Sequence, residues 1–142
     1  MKMNHMLLTR LRLLLATLLL LPALYSQAAP GKGNQLTPTE FSQALIANTD
    51  AVILDVRTPE EFEQGNRIKG AYCINWKAND FNIRMHNFDK KKPMYIYCSN
   101  GVLSHDAAAR MRELGFTRVY ELKGGLQAWE AEGKEVTRNK SK

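Results

Sequence analysis

The sequence predicts a single α/β domain on a mainly parallel sheet. Three observations carry this. β-prone apolar runs alternate with helical stretches between residues 36 and 136. Val52-Ile53-Leu54 is apolar without a break, the mark of a strand buried on both faces. Two helix starts of one kind, Thr37-Pro38-Thr39-Glu40 and Thr58-Pro59-Glu60-Glu61, stand on either side of that strand. In each, threonine is the N-cap and proline takes the first helical position. The glutamate three residues after the threonine closes a capping box.

Residues 1–28 stand apart from this pattern. Lys2, Arg10 and Arg12 make a positive start, and Leu11 to Leu21 is leucine and alanine but for Arg12 and Thr17. Pro22 breaks the run, and Ser26-Gln27-Ala28 supplies small residues at signal-peptidase spacing. This is the pattern of a secretory signal peptide, so export is expected, to the periplasm if the source is a Gram-negative bacterium. The apolar run is about half the ~20 residues of a membrane span, so no stable membrane anchor is expected after cleavage. Removing it takes three of the twenty Lys and Arg and none of the fourteen acids, so the formal charge falls from +6 to +3. The bases that stay are scattered, apart from Lys90-Lys91-Lys92 and the run from Lys134 to Lys142. No basic stripe interleaves with aromatics, which argues against nucleic acid as a partner.

Residues 29–35, Ala-Pro-Gly-Lys-Gly-Asn-Gln, read as a flexible linker, residues 36–136 as the domain, and 137–142 as a basic, frayed tail. The first helix carries Phe41, Leu45 and Ile46 on its apolar face and ends at Asn48-Thr49-Asp50. The strand Ala51 to Arg57 follows, with Asp55 and Arg57 at its charged end. A short helix holds Phe62 and stops by Gly65, and Ile68 to Ile74 reads as another strand. Asn79 to Met85 is expected to be helical. Met94 to Tyr97 is a strand that ends at Cys98, and Asp106 to Leu114 is a helix stopped by Gly115. Val119 to Leu122 is the last strand, broken by Gly124-Gly125. A terminal helix from Leu126 to Glu132 buries Leu126 and Trp129.

Sites in parallel α/β folds lie at the carboxyl ends of strands, and Cys98 sits at one. A short turn containing Gly101 and then a helix follow it. Consecutive N–H groups of residues 99–104 can converge on the sulfur, and the positive end of the helix dipole favours its thiolate. A buried structural cysteine is the plain alternative. Ser104 is placed to cap the helix. A cysteine phosphatase carries an arginine six residues after its nucleophile to clamp phosphate; here that position is Ser104, which disfavours phosphoryl transfer. His86 and His105 offer no recognisable base context, and His105 reads as a solvated residue at a helix start. Cys-x-x-Cys is absent.

Four blocks in order, Asp55 to Phe62, Gly65 to Cys73, Tyr95 to Ser104 and Gly124-Gly125-Leu126-Gln127-Ala128-Trp129, resemble the rhodanese family of sulfurtransferases. The resemblance implies a rhodanese-like domain, its mainly parallel sheet flanked by helices on both faces. It implies that Cys98 takes a sulfane sulfur, for example from thiosulfate, as a persulfide, and passes it to a thiophilic acceptor such as cyanide or a thiol. Ser99, Asn100, Gly101, Val102, Leu103 and Ser104 would bind the donor through their backbone. No metal and no organic cofactor are implied. Arg57 and Glu61 stand four apart, where they can pair in a structural role. Asp55 reads as a loop-ordering carboxylate. The chain departs from the family pattern in Asn66-Arg67, which replace its histidine, and in Cys73, which stands at an asparagine position. The loop carries Val102 and Leu103 where many thiosulfate users have basic or polar side chains. Two other functions stay open: a non-catalytic module that binds a partner protein, and a thiol-redox protein using Cys73 with Cys98.

Overall fold

The computed structural model describes residues 34–139. The expected signal segment 1–28, residues 29–33 of the expected linker and the last three residues of the expected tail lie outside them. The elements in chain order are β1 (Gln35–Leu36), α1 (Pro38–Ala47), β2 (Val52–Asp55), α2 (Pro59–Gln64) and β3 (Tyr72–Cys73). They continue with α3 (Phe81–Met85), β4 (Met94–Tyr97), α4 (Val102–Glu113), β5 (Val119–Leu122) and α5 (Gly125–Ala131). The strands form one five-stranded sheet in the order β1-β5-β4-β2-β3, and every pairing is parallel. β4 is its centre, and all four of its residues are buried.

Alternation along the strands decides what each face carries. Met94, Ile96 and Cys98 point to one face, with Leu54 and Val56 of the β2 segment. Met85 and Phe81 of α3 and Ala107, Ala108 and Met111 of α4 cover that side. Tyr95 and Tyr97 point to the other, where Phe41 of α1 and Leu126 and Trp129 of α5 pack on them. The helices thus flank both faces. Phe41 meets Tyr95 edge-on at 5.2 Å and Trp129 at 6.0 Å, the arrangement that ring quadrupoles favour. Trp129 is core, and its Nε1 donates to the Glu135 carbonyl at 2.9 Å.

Both capping boxes form. Glu40 N donates to Thr37 Oγ1 and Thr37 N to Glu40 Oε2. Thr58 and Glu61 make the same pair of bonds at the start of α2. Burial works to raise the Glu61 pKa, but hydrogen bonds from Thr58 and the Arg57 charge outweigh it and hold it below the 4.5 of a free glutamate. A carboxylate with a depressed folded pKa contributes stability in full above its unfolded value, and loses it as pH falls through the folded value. The Glu61→Gln variant is therefore expected to differ from wild type by at most about 1 kcal/mol at neutral pH, and that difference should shrink as pH falls below the 4.5 of a free glutamate and through the lower folded value. Urea melts at several pH values check it; a constant difference across that range refutes the assignment.

The structure corrects several boundaries. Gln35 is not linker but the first residue of β1, held by Glu121 N donating to the Asn34 carbonyl and Lys123 N to that of Leu36. A two-residue edge strand is too short to carry a readable alternation. The expected strand from Ile68 shrinks to Tyr72–Cys73, because the chain turns at Gly70. α3 begins at Phe81 rather than Asn79, and α5 begins at Gly125. α4 begins four residues before Asp106, at Val102. The tail begins in order: Thr137 and Arg67 form an antiparallel bridge with two backbone bonds.

Candidate active site

The alternation of β4 continues one residue past the strand and turns the Cys98 side chain under the first turn of α4. Gly101 makes the turn. Its φ of +92° lies in the left-handed region, open at low cost to glycine. The Gly101 N–H reaches the Cys98 sulfur at 3.2 Å and the Ser104 N–H at 3.3 Å. Ser104 Oγ stands 3.4 Å from the same sulfur. Ser104 thus does not cap the helix through its side chain: it is wholly buried and serves the sulfur. The cap comes from Asn100, whose Oδ1 accepts from Val102 N at 3.1 Å. Negative charge on this sulfur meets two N–H groups, one hydroxyl and the positive end of a twelve-residue helix.

The loop is held from behind. Leu126 N donates to the Cys98 carbonyl at 2.8 Å and Gln127 N to that of Ser99 at 3.0 Å. α5 can approach so closely because Gly125 has no side chain: a Cβ there would lie 2.5 Å from the Cys98 carbonyl oxygen and 2.7 Å from Asn100 N. Ser99 Oγ donates to Glu61 Oε1 at 3.3 Å, which ties α2 to the loop. Asn100 and Val102 are exposed on the rim, while Leu103 packs against the α4-side core. Of the six expected donor-binding residues, Gly101 and Ser104 alone meet the sulfur with their N–H groups. That of Val102 bonds instead to Asn100 Oδ1.

On the opposite face, beneath the loop, Asp55 and Arg57 form a buried bidentate pair, with Nη2–Oδ2 at 2.6 Å and Nε–Oδ1 at 2.9 Å. This corrects the expected Arg57–Glu61 pairing. The Arg57 side chain turns back to the strand it leaves, because Asp55 is wholly buried and needs a charged partner. Arg57 Nη2 also donates to the Asn66 carbonyl at 2.9 Å, and Tyr97 OH accepts from Ile68 N at 3.1 Å. Asp55 thus orders the loop, as expected.

The sequence model of the rhodanese-like domain matches residues 37–132. The chain belongs to the rhodanese-like domain family. A sulfurtransferase of Allochromatium vinosum is 34% identical over 100 residues, covering 70% of this chain and 91% of that one. The thiosulfate sulfurtransferase GlpE of Coxiella burnetii is 32% identical over 87 residues, with 61% and 78% covered. Among solved structures, the rhodanese-like domain of an Anabaena protein superposes with a TM-score of 0.66 at 28% identity, covering 75% of this chain and 80% of that one.

Within this rhodanese-like domain, Cys73 and Cys98 are both free. Cys73 pairs in register with Asp55, and Asp55 with Tyr97, so Cys73 faces the side of Tyr97 while Cys98 faces the other. Two strand spacings, about 9.5 Å, also separate Cys73 from Tyr97, beyond the reach of a disulfide. That argues against the redox alternative and favours the plain strand reading of Cys73. Burial, and then the Asp55 charge, push the Cys73 thiol pKa up, opposite to what a reactive thiol needs.

One group of residues escaped the sequence reading. Glu121, buried in β5, accepts from Arg112 Nη2 at 2.8 Å and faces His105 Nδ1 at 2.9 Å. His105, expected to be merely solvated, is thus held by a buried carboxylate. The one signal was an acid inside a four-residue strand, Val119-Tyr120-Glu121-Leu122. Beside it, a cavity of about 370 Å³ opens, lined among others by Asn100, Val102, His105 and Lys123.

Proposed function

We propose that this protein, a member of a sulfurtransferase family, takes a sulfane sulfur onto Cys98 as a persulfide and passes it to a thiophilic acceptor. The convergence of two N–H groups and the Ser104 hydroxyl on one buried sulfur carries this reading. Covalent catalysis of this kind needs a sulfur that can attack and then leave as an anion, and these donors serve both steps. In the first step the Cys98 thiolate attacks the outer sulfur of a donor such as thiosulfate, and sulfite leaves with the electron pair of the broken S–S bond. In the second, the acceptor attacks the outer sulfur and the pair returns to Cys98. No side chain between Cys98 and Ser104 is basic, so a dianionic donor meets main-chain and hydroxyl donors there. That leaves thiosulfate in competition with less charged sulfane carriers.

Export is proposed with it, on the composition of residues 1–28 alone. One experiment tests both. Native cells are fractionated into envelope and cytoplasm, the protein is isolated from whichever fraction holds it, reduced and mixed with thiosulfate or a polysulfide, and its intact mass is measured. A chain lacking about the first 28 residues and heavier by one sulfur atom is expected. A full-length cytoplasmic chain refutes export. A mass unchanged with every donor refutes sulfur transfer.

A further inference from the structure

Glu121 is a carboxylate in the buried layer between α4 and the sheet. Parallel register sets it opposite Ile96, whose side chain lies on the same sheet face as Cys98. Val119, two residues earlier on that face, is apolar and joins the core cluster of Ile96 and Met111. Only 5% of the Glu121 side chain reaches solvent. An apolar residue would fill this position without the cost of taking a charge out of water, and such replacements of buried ion pairs are often neutral or stabilising. Stability therefore does not account for this carboxylate.

Its contacts grip one helix at two points. Oε1 accepts from Arg112 Nη2 at 2.8 Å, and Oε2 faces His105 Nδ1 at 2.9 Å. His105 and Arg112 stand about two turns apart on one side of α4. Arg112 Nη2 also donates to the Val119 carbonyl at 3.2 Å, which fastens the far grip to β5 a second time. A helix held at one point can pivot on a strand, whereas one held at two cannot. The two partners do not need the carboxylate for their own sake. The side chains of His105 and Arg112 are 60% and 32% exposed and can turn to water.

The near grip adjoins the sulfur cradle. His105 follows Ser104, whose N–H reaches the Cys98 sulfur at 3.3 Å and whose hydroxyl stands 3.4 Å from it. Cys98 follows β4, and β4 pairs directly with β5. Glu121 thus links the sheet that carries the sulfur to the helix turn that carries its donors. We propose that Glu121 is a positioning residue for sulfur transfer: through His105 and Arg112 it seats α4 on the sheet and so sets how closely the Ser104 donors approach Cys98. It touches neither the sulfur nor a substrate. The inference rests on the persulfide reading, in which those donors stabilise the Cys98 anion as it attacks and again as it leaves.

Two substitutions separate this grip from a merely structural role. Glu121→Gln keeps both contacts, because the amide oxygen accepts from Arg112 while its NH2 donates to Nδ1 of the other neutral histidine tautomer. Glu121→Met fills the space and holds neither partner. Both variants should melt within about 5 °C of wild type. In Glu121→Met the maximal rate of transfer from thiosulfate to cyanide should fall about tenfold, with a smaller change in the thiosulfate concentration at half-maximal rate. Glu121→Gln should recover most of that rate. The amide proton resonance of Ser104, which reports its hydrogen bond to the sulfur without any turnover, should move upfield in Glu121→Met and stay in place in Glu121→Gln. Should Glu121→Met not fold, His105→Ala removes the near grip at an exposed position, and the rate and the resonance should move in the same directions. An unmoved Ser104 resonance in the variant that folds, or rates that are alike in Glu121→Met and Glu121→Gln, overturns the inference. A wild-type protein that transfers sulfur from no donor overturns the function reading instead, and the Ser104 resonance then still decides whether Glu121 seats the helix.

Discussion

Cys98→Ala is expected to fold and to transfer no sulfur. The side chain lies in a core cluster with Ile96, Ala107 and Ala108, so removing one sulfur atom costs about 1–2 kcal/mol in packing and leaves a cooperative transition. Activity is a different matter, because the persulfide has no other atom to form on. Transfer from thiosulfate to cyanide should fall at least a thousandfold, to the solution background. A graded companion is Ser104→Ala. It removes one of three donors and leaves both N–H groups in place, so transfer should drop about ten- to a hundredfold. Initial rates with a melting curve for each variant check the series. Activity retained in Cys98→Ala shows that the sulfur passes elsewhere. An undiminished Ser104→Ala shows that the hydroxyl does not serve the sulfur.

The second large effect is expected at Gly125, which touches no substrate. Two costs act there and can be separated. Gly125 has φ +62°, and an alanine in that region costs about 1–2 kcal/mol. Its Cβ would also press into the Cys98 carbonyl and Asn100 N, which are backbone atoms and cannot rotate away. Gly133 has nearly the same φ, +67°, with nothing within 4 Å of its Cβ. Gly133→Ala should therefore cost about 1 kcal/mol, and Gly125→Ala at least about 3 kcal/mol. For a domain of this size that places the two melting temperatures more than about 10 °C apart. Below its melting temperature Gly125→Ala should also lose most of its sulfur transfer, because the loop must shift for α5 to remain. Equal costs at the two glycines refute the buttress.

Particular residues show how far local pattern reaches. Thr37 and Thr58 announced their helices because a capping box is closed within four residues. β4 was legible because all its residues are apolar and it lies at the sheet centre. Asp55 was legible as a structural carboxylate, but its partner was misplaced. Spacing on a helix favoured Arg57 with Glu61, whereas the wholly buried carboxylate two residues earlier exerts the stronger pull. The start of α4 was misplaced because Val102 and Leu103 look like loop residues until the turn at Gly101 carries them into a helix. Leu103 then packs inward, and the N–H groups that bond the Cys98 sulfur are those of Gly101 and Ser104.

Glu121 marks the limit. In the chain it is one acid among apolar neighbours. In the fold it is a buried hub between β5 and α4, and it converts His105 from a solvated residue into an oriented imidazole. Cys73 moves the opposite way, from possible redox partner to half-buried strand residue, because parallel register sends it to the far face.

The amino-acid order by itself determined the α/β class, the central strand and the cysteine at its carboxyl end, since these follow from periodicity and turn chemistry within a few residues. Only the tertiary structure decided which groups surround the Cys98 sulfur, what holds the loop from behind and what faces the cavity beside it. Those depend on residues far apart in the chain, Gly125 against Cys98 and Glu121 against His105, and no local pattern encodes contacts across such distances.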